Sequence, residues 1–117
     1  MPNEYEALVA ELKGTDIPFA EYAWDTRPAG KHGIVSLDFE ADGLEADDAK
    51  KDRAWEASVD VFFQKLSDQG NITRTVEDIL TRICGDRWEQ NHATHETATR
   101  LFHIEWVCQV QDTKGVR

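Results

Sequence analysis

Thr99-Arg100-Leu101-Phe102-His103-Ile104-Glu105-Trp106-Val107-Cys108-Gln109-Val110-Gln111 is the stretch that decides the fold. Phe102, Ile104, Trp106, Cys108 and Val110 share one parity; Leu101, His103, Glu105, Val107 and Gln109 share the other. Successive side chains of a strand point to opposite faces of the sheet. The segment therefore reads as a strand with one face in a core. The other face is too mixed for plain solvent.

Two more segments follow the same rule. Ile34 to Glu40 puts Val35, Leu37 and Phe39 on one side, with Ser36, Asp38 and Glu40 opposite. Ala54 to Gln64 answers with Trp55, Ala57, Val59, Val61 and Phe63 against Glu56, Ser58 and Asp60. One apolar and one polar face on each predicts a long antiparallel pair. Phe19 to Asp25 and Trp88 to Thr94 are weaker strand candidates. Thr26 to Gly33, with Pro28, Gly30 and Gly33, reads as a loop.

Two segments carry helical spacing instead. From Asn3 to Lys13, Tyr5, Leu8, Val9 and Leu12 fall on one face, with Asn3 and Glu6 as a capping pair and Gly14 as the stop. From Asn71 to Cys84, Val76, Ile79, Leu80 and Ile83 form the stripe. Asn71 or Thr73 is the expected cap, Glu77 and Asp78 lie in or near the first turn, and Gly85 ends the helix. The order is αβββαββ. The economical arrangement is an α+β fold, a single antiparallel β-sheet with two helices packed on one face, as one domain over residues 1–117.

The bulk numbers agree with one domain. A chain of 117 residues buries roughly 60–70% of the surface its unfolded form exposes, enough for a core without staples. Thirteen Lys and Arg against twenty-three Asp and Glu give a net charge of −10. Such a chain is a poor nucleic-acid binder, since phosphate affinity comes mostly from Lys and Arg. It could still line a channel through which DNA passes. No apolar run approaches the roughly 20 residues that span a bilayer, and the first residues do not read as a signal peptide. Cys84 and Cys108 lie in apolar segments and read as two small buried hydrophobes of a reducing compartment, with a disulfide left open.

The chemistry-bearing residues give little to build on. His92, His95 and His103 with Glu96 are the nearest approach to a metal motif, but a spacing of three lacks the helical i, i+4 geometry of a zinc protease. In a strand, His92 and His95 would point to opposite faces, and His103 could join one of them across a hairpin. Asp38, Glu40, Asp42, Glu45, Asp47, Asp48, Asp52, Glu56 and Asp60 place nine of twenty-three acids in one hairpin. Their spacing does not match a calcium loop. They read as a solvated hairpin or as a surface where negative charge is itself used. No serine sits in a small-residue elbow, and the scattered glycines form no phosphate loop. No catalytic, cofactor-binding or metal-binding residue is assigned, and the expectation is a non-enzyme.

Three segments carry a family likeness. They are Gly33-Ile34-Val35-Ser36-Leu37-Asp38-Phe39-Glu40-Ala41-Asp42, Glu56-Ala57-Ser58-Val59-Asp60-Val61-Phe62 and Leu101-Phe102-His103-Ile104-Glu105-Trp106-Val107. Together with the element order, they make the chain resemble the tail terminator, or tail completion, proteins of long-tailed phages and prophages. The resemblance implies a structural virion component that forms a ring, expected as a hexamer, caps the tail tube and joins it to the head connector, with DNA only as passing cargo. It implies assembly in the bacterial cytoplasm and a final place in the virion tail, with no membrane and no cofactor. The acidic hairpin, Glu40, Asp42, Glu45, Asp47 and Asp48, would then face the lumen or a neighbouring subunit. An acidic interaction or inhibitor module of a mobile element is the alternative, since acidic proteins can block basic enzymes. A small metal-dependent hydrolase using His92, His95 and His103 is the third reading.

Overall fold

The computed structural model describes residues 2–38 and 55–112. The elements are α1 (Asn3–Lys13), β1 (Phe19–Glu21), β2 (His32–Asp38), β3 (Trp55–Phe63), a 3-10 turn (Leu66–Asp68), α2 (Gln69–Cys84), β4 (Trp88–Glu96) and β5 (Leu101–Val110). The αβββαββ order holds. The strands form one five-stranded sheet in the order β1-β2-β3-β5-β4.

The sheet is mixed, which corrects the antiparallel expectation. β2–β3, β3–β5 and β5–β4 are antiparallel, but β1 runs parallel to β2, with Phe19 opposite Gly33 and Glu21 opposite Val35. The physical reason lies in the connection. After β1 the chain turns at Tyr22, whose φ is 67°, and residues 22–31 carry it back to the starting end of β2. A two-residue hairpin would force antiparallel pairing; a return crossing allows the parallel one. Alternation reports faces and says nothing of direction.

The register sorts the side chains as their parity requires. Ala57, Val59, Val61 and Phe63 of β3 stand opposite Cys108, Trp106, Ile104 and Phe102 of β5. With Val35 and Leu37 of β2 they form the sheet side of a single core. Tyr5, Leu8 and Leu12 of α1 and Ile72, Val76, Ile79 and Leu80 of α2 form the other side. Both helices therefore lie on one face. Full burial of such apolar side chains stabilises by about 1.5–3 kcal/mol each. Trp106, fully buried, donates its indole N–H to Glu77 Oε2 at 2.9 Å, which ties the middle of α2 to β5.

The helix ends differ from their expected caps. Pro2 rather than Asn3 caps α1; its carbonyl accepts from the N–H of Tyr5 and Glu6 at 3.1 and 3.3 Å. The helix α2 starts at Gln69, directly after the 3-10 turn, so neither Asn71 nor Thr73 is a cap. Asp68 at the cap makes no side-chain capping bond, and no acid sits in the first turn of α2. The chain enters α2 already wound, so its start carries no capping signature. Gly85 ends α2 at φ 65°, as its position predicts.

One polar clip closes the far end of the molecule. Arg87, between α2 and β4, places its two terminal nitrogens 3.1 and 3.2 Å from the two carboxylate oxygens of Glu4. It also donates to the Gln109 carbonyl at 2.7 Å. Glu4 in turn exchanges bonds with the backbone of Gln111. The first turn of α1, the α2–β4 connection and the end of β5 meet in that clip.

Candidate functional site

The sheet face opposite the helices carries the residues that the sequence left unexplained. β2 contributes His32, β3 contributes Asp60 and Phe62, β5 contributes His103 and Glu105, and β4 contributes His92, Thr94 and Glu96. The register sets Phe62 between His32 and His103, and sets His92 opposite Glu105. Rings therefore run across the strands. His32 stacks on Phe62 at 5.4 Å between centroids, Phe62 on His103 at 4.3 Å, and His92 meets His103 edge to face at 5.0 Å. Trp24 meets His32 edge-on at 6.2 Å.

The 22–31 connection covers one end of this row. The indole N–H of Trp24 donates to the Gly33 carbonyl at 3.0 Å, and the Arg27 guanidinium lies 4.7 Å from the Phe62 ring centre. Gln64 donates to the Ala29 carbonyl at 3.1 Å. His32 and Phe62 are accordingly buried, while the β4 end of the row stays open.

His103 is held from both sides. Its Nε2 lies 2.7 Å from Asp60 Oδ1 and its Nδ1 3.2 Å from Glu96 Oε2. When the ring is protonated, both N–H groups donate to carboxylates. The Asp60 hydrogen bond raises the pKa most; burial opposes it, and the charges of Asp60 and Glu96 add to the rise. His92 Nδ1 lies 3.3 Å from Glu105 Oε1, which also accepts from the Asn91 side chain at 2.8 Å. His32 differs. Its Nδ1 donates to the Gly30 carbonyl at 2.8 Å, while its Nε2 is buried with no hydrogen-bond partner. A buried polar atom left in that state costs about 1–3 kcal/mol.

A carboxylate on each nitrogen favours the charged form of the His103 imidazole. Among the described residues, no three or more His, Cys, Asp or Glu side chains are grouped so that they could hold a metal ion.

The residues singled out in the sequence separate as follows. His92 and His103 come together on the open face; His95 turns to the helix side and packs on Phe102 at 4.6 Å. That split follows the parity of a strand. Glu40, Asp42, Glu45, Asp47 and Asp48 lie outside the described residues. Cys84 and Cys108 are both buried free thiols. A mutual hydrogen bond and burial push the Cys108 thiol above its ordinary range. The sequence reading missed His32, Phe62, Trp24 and Arg27. The available signal was Phe62 itself, a large ring on the polar parity of β3, where Glu56, Ser58 and Asp60 precede it.

Among the described residues, no helix is long and apolar enough to cross a membrane. Compared with family models, with curated proteins and with solved structures, the chain matches none.

Proposed function

We propose that this chain is a structural ring component of a phage tail, acting as a tail terminator that caps the tube and joins it to the head connector. The observation that carries the proposal is the one-sided sheet. Both helices pack on one face, and the opposite face holds a row of aromatic rings and carboxylates, buried at its His32 and Phe62 end and open toward β4. A face of that composition suits contact with protein better than contact with water alone. In the proposed ring a neighbouring copy covers that face over β2 and β3 and leaves the β4 edge free. The likeness of the three strand segments and the αβββαββ order supports the same reading.

Charge sets how the assembly should behave. Copies at −10 repel one another, and salt screens that repulsion within about 10 Å at 0.1 M. Ring formation therefore strengthens as salt rises. Sedimentation velocity of the purified chain, alone and with isolated tail tubes, tests the proposal. A discrete ring-sized species or capped tube ends is the expected result. A protein that stays monomeric at every salt concentration and ignores tube ends removes the reading. A pull-down returning one basic host enzyme in place of tail proteins would favour the acidic inhibitor alternative.

A further inference from the structure

β4 is an end strand of the sheet, and among the described residues nothing pairs with its outer side. Alternate residues of such an edge aim their N–H and C=O groups away from the sheet, a template for one more strand. Proteins usually blunt edges by shortness, lysine, proline or a bulge. The opposite edge is blunted by shortness, because β1 has three residues. β4 has nine, with one register shift at Gln90/His92, and it contains no Lys, Arg or Pro. From Glu89 to His95 it is exposed throughout.

The two flanks of this edge differ in chemistry. On the helix side, Ala93 and His95 border a groove of about 210 Å³ that continues over Phe63, Leu66, Phe102 and Ile104. Leu66 is 59% exposed, one of two large apolar side chains so placed among the described residues. On the open side stand Glu89 and Glu96 of β4, with Glu105 on β5 and Asp60 on β3. Among the described residues, no lysine or arginine pairs with these four carboxylates; Asp60 and Glu96 face His103, Glu105 faces His92, and Glu89 has no ion pair.

A strand added beside β4 sends its side chains alternately to these two flanks. We propose that the β4 edge takes up an extended segment of a partner protein in which apolar and basic residues alternate. The apolar residues lie over the Phe63, Leu66 and Phe102 groove, and the basic ones beside Glu89, Glu96 and Glu105. A second copy is a poorer occupant. Its own β4 would bring Glu89 and Glu96 against this acidic flank, on a chain that already carries −10. The proposal does not depend on the ring reading, and the signs of their salt dependence are opposite.

The probe is a capped synthetic peptide, Lys-Val-Lys-Ile-Lys-Val-Lys, titrated into isotope-labelled full-length protein. Amide shifts and slowed exchange over residues 88–96 and around the groove are expected. The dissociation constant should rise about fivefold or more between about 0.05 M and about 0.3 M salt. The same peptide N-methylated at alternate residues, tried in both parities, should lose binding in the parity that faces β4 and keep most of it in the other. Glu89→Gln and Leu66→Ser should each weaken binding several-fold with the melting temperature unchanged. The proposal is overturned by absence of binding, by shifts that map elsewhere or by equal binding of both N-methylated forms. It is also overturned if a glutamate-for-lysine peptide binds as tightly, or if β4 amides become protected in the concentrated protein alone, the signature of a second copy.

Discussion

His103 Nε2 lies 2.7 Å from Asp60 Oδ1, reaching diagonally across the β3–β5 pair past its own register partner, Phe62. That contact joins a titratable ring to the buried part of the open face. It gives the molecule a specific dependence on pH. The folded-state pKa of His103 is raised, first by the Asp60 bond. Its stabilising contribution is fully present below the unfolded value of about 6.5 and is lost as pH rises through the folded value. Chemical denaturation followed from about pH 6 upward should show this contribution to stability falling as pH rises above the unfolded value. His103→Gln should flatten the fall. An unchanged slope in the variant would remove His103 as its source.

Trp106 is the largest fully buried side chain, and its loss should be costly. Trp106→Ala is expected to destabilise by about 3–5 kcal/mol, measured by urea unfolding. Trp106→Phe keeps most of the ring volume but strands the Glu77 carboxylate that accepted its N–H. A loss of about 1–3 kcal/mol is expected from that change, and it should shrink when Glu77 is also replaced by Gln or Leu.

Gly33 is fixed by packing. A Cβ at this position would lie 2.3 Å from Phe19 Cε2 and 2.6 Å from Cζ, inside the ring that defines the β1–β2 contact. Phe19 is itself buried and has little room to move. Gly33→Ala should therefore destabilise by about 1–3 kcal/mol. Combined with Phe19→Ala, its added cost should fall toward zero, a non-additivity that a double-mutant cycle reads directly.

Asp47 and Asp48 lie outside the described residues, and the sequence expectation for them stands as a test. Replacing both with Ala should leave the unfolding midpoint nearly unchanged, within about 0.5 kcal/mol, if they are surface charges. If the proposed ring forms, the same double change should shift its salt dependence, because it removes two negative charges from each copy. Unfolding of the variant would make the hairpin a structural element.

The sequence alone determined which residues share a face. In β5, Phe102, Ile104, Trp106, Cys108 and Val110 were legible as the core side because strand geometry makes parity and burial the same fact. The stripes of α1 and α2 were legible for the corresponding helical reason, and so was the separation of His92 from His95. Parity could not show that β1 runs parallel to β2, because direction is set by how the chain returns through residues 22–31. It could not show the row from Trp24 through His32 and Phe62 to His103, because its members come from different strands and one loop. Their meeting depends on strand order and register. Nor could it show that β4 would be left as an edge. An edge is a property of neighbours, and only the folded sheet decides which strand lacks one.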